Sequence, residues 1–290
     1  MLKRTVNSCL EQKAAWSFEI VIIDSGSTDG SIEWLSQLSE QHENLVVKQI
    51  PKSEFGHGKT RNLGAAVASG ENLAFITQDA MPANRHWLQT LVEDLLSDND
   101  SAGVFGRHIA YKSSGYLIRT MLDEHFAGFG KERTSFKMEN EEEYKNNVSL
   151  RQFLHFYSDN NSCMRRSVWE KIPYPDVPFA EDQLWAKAII EAGYSKVYSP
   201  NAVVYHSHNF SIIENFKRSR EESYYFYKLF GYKLTENINS VFSYTLIQSI
   251  KDFKQLKHHY GMSLSLIKHF IRVPFLNFTR ILGHYQGAKN

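Results

Sequence analysis

The sequence predicts an α/β protein: a mostly parallel, Rossmann-like sheet flanked by helices, followed by a helical extension. Three observations predict it. Short apolar runs rich in β-branched residues alternate with segments of helical period through the first hundred residues. Two of those runs, FEIVII and NLAFIT, are apolar on both faces, as buried parallel strands are. From residue 209 onward the period is helical only.

In order, residues 2–12 have helical period, 18–23 (FEIVII) form a strand, and 31–41 return to a helix. Residues 45–50 (LVVKQI) are the next strand. A helix over 60–69 is closed by Gly70, and strand 72–77 (NLAFIT) leads through Pro82 to a helix at 87–96. The middle is less regular: 102–109 and 158–164 read as strands, and the polar, acidic stretch 128–147 reads as a mobile loop. A helix over 181–192 stops at Gly193, and strand 197–204 runs into His206. This places an α/β domain at residues 1–208 and a basic, aromatic helical extension at 209–290.

The 290 residues are 42% hydrophobic and 22% charged, enough to bury a sizeable core. A net charge of +1 excludes a nucleic-acid binder that acts through a global basic field. The balance is uneven, with twelve Lys/Arg against five Asp/Glu after residue 208 and 21 against 27 before it. Two cysteines, Cys9 and Cys163, exclude a disulfide scaffold and fit a reducing compartment. The opening MLKRTVNSCLEQ has no apolar core of the signal-peptide kind. The longest apolar stretch, 262–282, is broken by Lys268, His269, Arg272, Pro274 and Arg280, so no span of about 18 residues is expected. A cytoplasmic protein, soluble or bound to a surface, is expected.

Several motifs could carry chemistry. FEIVII runs into Asp24-Ser-Gly-Ser-Thr-Asp29-Gly, and a carboxylate at the end of a parallel strand sits where open α/β sheets bind ligands. Asp24 is read as a ligand contact and Asp29 as a helix cap. The stretch Gly56-His-Gly-Lys-Thr-Arg-Asn62 is a near miss to a phosphate loop, because Ser53 stands where that pattern needs glycine. Its glycines and cations at a helix start still suit a nucleotide. Gln78-Asp79 ends strand 72–77 and could hold a divalent cation. Glu181-Asp182 opens a helix, and His206-Ser-His208 puts two imidazoles at a strand end.

The ordered set IDSGSTDGS, FGHGKTRNLGA, TQDAMP, NNSCMRRSVWEKIPYP, FAEDQLWA and VYHSHN resembles family 2 glycosyltransferases of the GT-A fold, bacterial rhamnosyltransferases above all. The resemblance covers residues 2–210 and implies an inverting transfer of a sugar, L-rhamnose from dTDP-L-rhamnose, to a saccharide or lipid-linked acceptor. It implies Asp182 as catalytic base, and Asp24, Lys59, Arg61, Asn62 and Gln78 as nucleotide-sugar contacts. It implies Asn160, Glu181 and Trp185 as sugar or acceptor contacts. Asp79 and His206 would hold Mg²⁺ or Mn²⁺, although Thr77 stands where the family has the first Asp of its D-x-D motif.

Two other classes compete: a P-loop-like nucleoside triphosphatase, which would hydrolyse ATP through Lys59, and a catalytically silent binding protein. The basic, aromatic helices suit peripheral contact with an anionic membrane, or packing on the core or a second copy. In the resembling family an apolar strand precedes the first helix and lies centrally in the sheet. This chain begins inside that helix, so a shortened domain is expected, with a gapped or rearranged sheet and an incomplete nucleotide pocket.

Overall fold

The computed structural model describes residues 1–261 and 264–289; Met262 and Ser263, where the longest apolar stretch starts, lie outside them. The chain divides into two compact units, residues 1–111 with 122–206, and residues 112–121 with 207–290.

In chain order the elements are α1 (Leu2–Leu10), β1 (Ile20–Asp24), α2 (Ser31–Ser39), β2 (Leu45–Gln49), α3 (His57–Val67), β3 (Asn72–Phe75) and β4 (Met81–Pro82). They continue with α4 (Trp87–Leu96), β5 (Ser101–Ile109), α5 (Tyr116–Ala127), β6 (Thr134–Phe136), α6 (Glu141–Asn146) and α7 (Val148–His155). Then follow β7 (Ser162–Arg165), α8 (Arg166–Trp169), α9 (Glu181–Glu191), β8 (Ser195–Tyr205), α10 (Ile212–Phe230), α11 (Ile238–Tyr260) and α12 (Leu264–Gly287).

The first unit is a sheet flanked by helices, as the alternation predicts, but the sheet is mixed. Its path is β3-β7-β5-β8-β4, with β6 on β8. β5 and β8 are parallel, whereas β7 runs against both β3 and β5. The cause lies in how the chain enters. Ser162 opens β7 opposite Phe75 and Phe105, so the preceding turn sits at the carboxyl ends of β3 and β5, and the strand can only run back. That turn also delays the strand predicted from residue 158 until Ser162.

β1 and β2 form a separate parallel pair, and no backbone ladder joins β1 to β3 among the described residues. Of the two arrangements expected, gapped or rearranged, the strands take the gapped one. The acidic stretch expected to be a mobile loop is ordered instead. It carries edge strand β6 and helix α6, whose N-terminus is capped by Asn140 accepting from Glu143 N.

Both faces of the larger sheet are covered. On β5 the neighbours Val104 and Phe105 point to opposite sides. Val104 joins Trp87, Leu91 and Leu95 of α4, and Phe105 joins Tyr157, Trp185 and Ile189. Trp185 is 0% exposed and its indole donates to Ile172 O at 2.9 Å, so it belongs to the core. That corrects its assignment as a sugar contact, because a side chain with no accessible surface cannot meet a ligand.

Glycine serves this packing by its small size. In the first turn of α3, a Cβ on Gly58 would lie 2.2 Å from Pro175 O. Close packing therefore accounts for this glycine of the near-miss phosphate loop. On β5, Gly106 leaves room for Asn161, whose amide reaches Arg107 O and Ala202 O and accepts from the Trp87 indole at 2.7 Å.

The second unit is helical. α10 begins with a reciprocal capping box, Ser211 with Glu214, and stops at Gly231 in the left-handed region. α12 lies close against α10 because Gly283 and Gly287 have no side chain; a Cβ at Gly287 would be 2.2 Å from Arg220 O. α11 is tied to α12 by Asn277, which donates to Asp252 Oδ2 at 2.7 Å. No helix among the described residues is long and apolar enough to cross a membrane.

The Gly106 packing is testable. A Cβ there would stand 2.2 Å from Ala202 O and 2.3 Å from Asn161 Nδ2. Gly106→Ala should cost about 1–3 kcal/mol of stability, the usual range for overpacking. Gly115→Ala, with open space around it, should change the urea midpoint little; equal midpoints for the two variants would refute the account.

Candidate active site

Five chain segments of the first unit bring the candidate residues to two adjoining clusters: helix α3, the end of β3, the turn before β7, the start of α9 and the end of β8. The turn, Asp159-Asn160-Asn161, contributes to both.

The first cluster is acidic and built around one cation. Arg61 on α3 is ion-paired through Nε with Asp159 Oδ2 at 3.2 Å and with Glu181 through its guanidinium end. Asp159 is almost fully buried, and its Oδ1 accepts from Ser162 at 2.8 Å and from Tyr174 at 2.7 Å. Burial raises the Asp159 carboxyl, and Arg61, Tyr174 and Ser162 oppose that rise. Burial alone would lower Arg61, but Asp159 and Glu181 outweigh it and keep the guanidinium charged.

Asp182 completes this cluster. Its Oδ1 accepts from Gln183 N at 2.8 Å, while Oδ2 has a long contact of 3.5 Å from Asp159 N. Three carboxylates around one guanidinium cannot all ionise cheaply. Burial, then Asp159 and Glu181, push Asp182 up to about 8. Ala180, the residue that launches α9, holds φ 58° in the left-handed region, where a non-glycine side chain is strained by about 1–2 kcal/mol. That turn aims Glu181 and Asp182 back at Arg61.

The second cluster surrounds Asp79. The Thr77 hydroxyl lies 2.7 Å from Asp79 Oδ1 and 3.0 Å from Asn160 Oδ1. His206 Nε2 is 3.7 Å from Asp79 Oδ2, and the Tyr111 hydroxyl donates to Asp79 O at 3.0 Å. His206 is placed by its own backbone N–H, which donates to Ile109 O at 3.0 Å at the end of β5. One carboxylate oxygen and one imidazole nitrogen at this separation can share a divalent ion with bonds of about 2.1 Å. The carboxylate oxygen suits Mg²⁺ or Mn²⁺, while the imidazole suits a transition metal, so the pair admits a divalent cation without selecting one.

Other predicted residues stand elsewhere in the first unit. Asp24 Oδ1 accepts from Gly26 N at 2.9 Å and Ser27 N at 3.0 Å, an Asx turn. Burial works to raise Asp24, but the hydrogen bonds from Ser27 and Gly26 prevail and hold it below its ordinary range. Asp29, expected as the cap of α2, stands one residue before the cap position, which Gly30 holds, and accepts from Ser31 N at 3.1 Å. Lys59 is exposed, 4.0 Å from Asp176. Gln78 has an exposed side chain, and its carbonyl accepts from Thr5.

Arg61 and Asn62, expected on the nucleotide, are engaged inside the protein. Asn62 accepts from the Trp169 indole and Tyr174 N and donates to Tyr174 O, so its amide fastens the 169–174 segment. Arg61 finds its partner Glu181 120 positions away. Asp159 and Tyr174 are the site residues that sequence reasoning missed. The acidic step in S-D-N-N before β7 was the available signal.

A family profile described as Glycosyl transferase family 2 matches residues 1–172. Among curated relatives, the O-antigen chain rhamnosyltransferase RfbN of Salmonella typhimurium is 31% identical over 216 residues, covering 73% of this chain and 64% of that protein. The O-antigen chain rhamnosyltransferase WbaN of Salmonella anatum is 32% identical over 203 residues, covering 69% and 60%. The chain thus spans less than two thirds of the length of either. Among solved structures, the mannosyltransferase PcManGT of Pyrobaculum calidifontis, in complex with GDP-Man and Mn²⁺, aligns over 99% of this chain and 81% of its own, with TM-score 0.61 at 15% identity. S. aureus TarS 1-349 aligns over 99% and 86%, with TM-score 0.53 at 15% identity. These two likenesses show the fold.

The acidic cluster makes a stability prediction. Asp159→Ala leaves Arg61 short of a buried counter-charge, and breaking such a pair typically costs about 3–5 kcal/mol. Denaturant unfolding should show a loss of that size; a loss under about 1 kcal/mol, the level of a surface ion pair, would mean that Asp159 does not hold Arg61.

Proposed function

The chain belongs to glycosyl transferase family 2, and from that membership we propose that it is an inverting glycosyltransferase with Asp182 as its general base. The observation that carries the reading is the carboxyl of Asp182, raised to about 8 beside a second cluster able to hold a cation. A base works best when its pKa lies near the working pH.

In the proposed reaction an acceptor hydroxyl approaches Asp182 Oδ2, the oxygen with only the long contact to Asp159 N. As the hydroxyl oxygen bonds to the anomeric carbon, its proton passes to Oδ2. The bond from that carbon to the nucleoside diphosphate breaks, and configuration inverts. Arg61 and Glu181 hold the start of α9 so that Asp182 keeps its place. A divalent cation held by Asp79 and His206 would neutralise charge growing on the leaving diphosphate. Thr77, hydrogen-bonded to Asp79, orients that carboxylate in place of a second acid.

The donor in this reading is dTDP-L-rhamnose, a choice that rests on the names of the two Salmonella relatives. The acceptor is a saccharide, free or lipid-linked, in surface polysaccharide synthesis. The work is cytoplasmic, with peripheral membrane contact through the helices after residue 206. The triphosphatase reading loses its support, since Gly58 is accounted for by packing and Lys59 is exposed.

Asp182→Asn should lower turnover by about 10²–10⁴-fold while leaving donor binding nearly intact; near-normal turnover would reject Asp182 as base. Released nucleoside diphosphate across dTDP-, UDP- and GDP-sugars reads both activity and donor choice. In the wild type, kcat/KM should rise with pH through about 8 as Asp182 ionises. Glu181→Gln removes a neighbouring negative charge, so this limb should move to lower pH. A limb that stays in place would detach it from Asp182.

A further inference from the structure

α11 has two unlike exposed halves. In the first, Ile238, Phe242, Leu246 and Ile250 recur every fourth residue, and Phe242, Leu246 and Ile247 are 61%, 62% and 63% exposed. Residues four apart share one face of a helix, so these side chains form a continuous apolar stripe. Lone exposed apolar residues need no explanation, but a contiguous stripe marks a contact. In the second half the exposed Lys254 and Lys257 continue that side, Lys254 four residues after Ile250 and Lys257 three turns after Leu246.

The only carboxylate in α11, Asp252, is turned inward. It is buried and takes hydrogen bonds from Gln248 and Asn277, each at 2.7 Å. Among the residues of α11 itself, the exposed side is therefore apolar at one end and basic at the other. On α12, Phe270 and Phe275 are also more than half exposed, and Phe270 stacks on Phe253 of α11 at 4.8 Å.

We propose that this side of α11 is a docking surface for an anionic phospholipid bilayer. The stripe around Leu246 enters the boundary between headgroups and acyl chains, and the lysines of the second half meet the phosphates. Charge complementarity selects this occupant over a second copy of the chain. Two α11 helices paired in parallel would set lysine against lysine. Paired antiparallel, they would bury lysines on Phe242 and Leu246. Neither contact supplies a negative charge, whereas anionic headgroups do. The inference deepens the proposed membrane contact by locating it, and vesicle binding is read without donor or acceptor, so the two readings fail separately.

The full chain would be sedimented with vesicles of phosphatidylcholine alone, or of phosphatidylcholine mixed with phosphatidylglycerol, at low and high salt. Binding is expected to the mixed vesicles only, and it should weaken as salt rises. Replacing the two lysines that continue the stripe (K254Q, K257Q) should weaken it on the order of 30-fold. Phe242→Ser with Leu246→Ser should also reduce it, with an unchanged helical circular dichroism spectrum because both side chains are exposed. Absence of sedimentation of the wild type at low salt would overturn the proposal. So would full binding by both variants. A concentration-dependent dimer that Leu246→Ser dissociates would assign the stripe to a second copy instead.

Discussion

The turn Asp159-Asn160-Asn161 is the joint on which the candidate site depends. Its three consecutive side chains go three ways. Asp159 takes Arg61 and Tyr174, Asn160 meets Thr77 beside Asp79, and Asn161 is pinned into the sheet by the Trp87 indole and the carbonyls of Arg107 and Ala202. A buried asparagine with both its oxygen and its nitrogen satisfied has a single allowed orientation. The anchoring of Asn161 therefore fixes its two neighbours. The acidic cluster and the Asp79 cluster are held in register through one stretch of backbone, with no need for a direct contact between them.

The electrostatics follow from that joint. Arg61 is one positive charge facing Asp159, Glu181 and Asp182 in a largely dry setting. The two acids that touch the guanidinium are compensated, and the third carries the imbalance. Asp182 is raised first by its own burial and then by the negative charges of Asp159 and Glu181. The left-handed Ala180 is the local strain that accompanies this arrangement, and strained backbone of that kind is sustained where surrounding packing over-determines it.

Much of the fold was legible in the sequence because it is written in local period. FEIVII, NLAFIT and the helix at Trp87–Leu96 stand close to where their apolar spacing puts them. The reversed direction of β7 was not legible, because strand direction is set by where a turn leaves the chain. Motif order along the chain singled out Asp79, Asp182 and His206, and the structure sets Asp182 among acids around Arg61 and Asp79 beside His206. The partners of Arg61 were not legible because they are distant in sequence, and a cation looks the same whether it faces a phosphate or a buried carboxylate. Trp185 was misjudged for a related reason. An aromatic one turn after an acidic pair reads alike on either face of a helix, and only the packing against Tyr157 shows which face is inward.

The split of the sheet has a further thermodynamic consequence. β1 and β2 share one ladder with each other and none with the larger sheet among the described residues. Backbone hydrogen bonds are what make sheets melt as a unit, and the β1–β2 pair is tied to its surroundings by contacts of another kind, such as the Glu19 carboxylate accepting from Ser69 N and Oγ at 2.6 Å. Cooperative units of this kind open below the free energy of global unfolding. The amide hydrogens of residues 20–24 should then exchange by a sub-global opening that leaves β5, β7 and β8 closed. Asp24, the last residue of β1, belongs to this less protected unit, while Asp182 and its partners belong to the slower one.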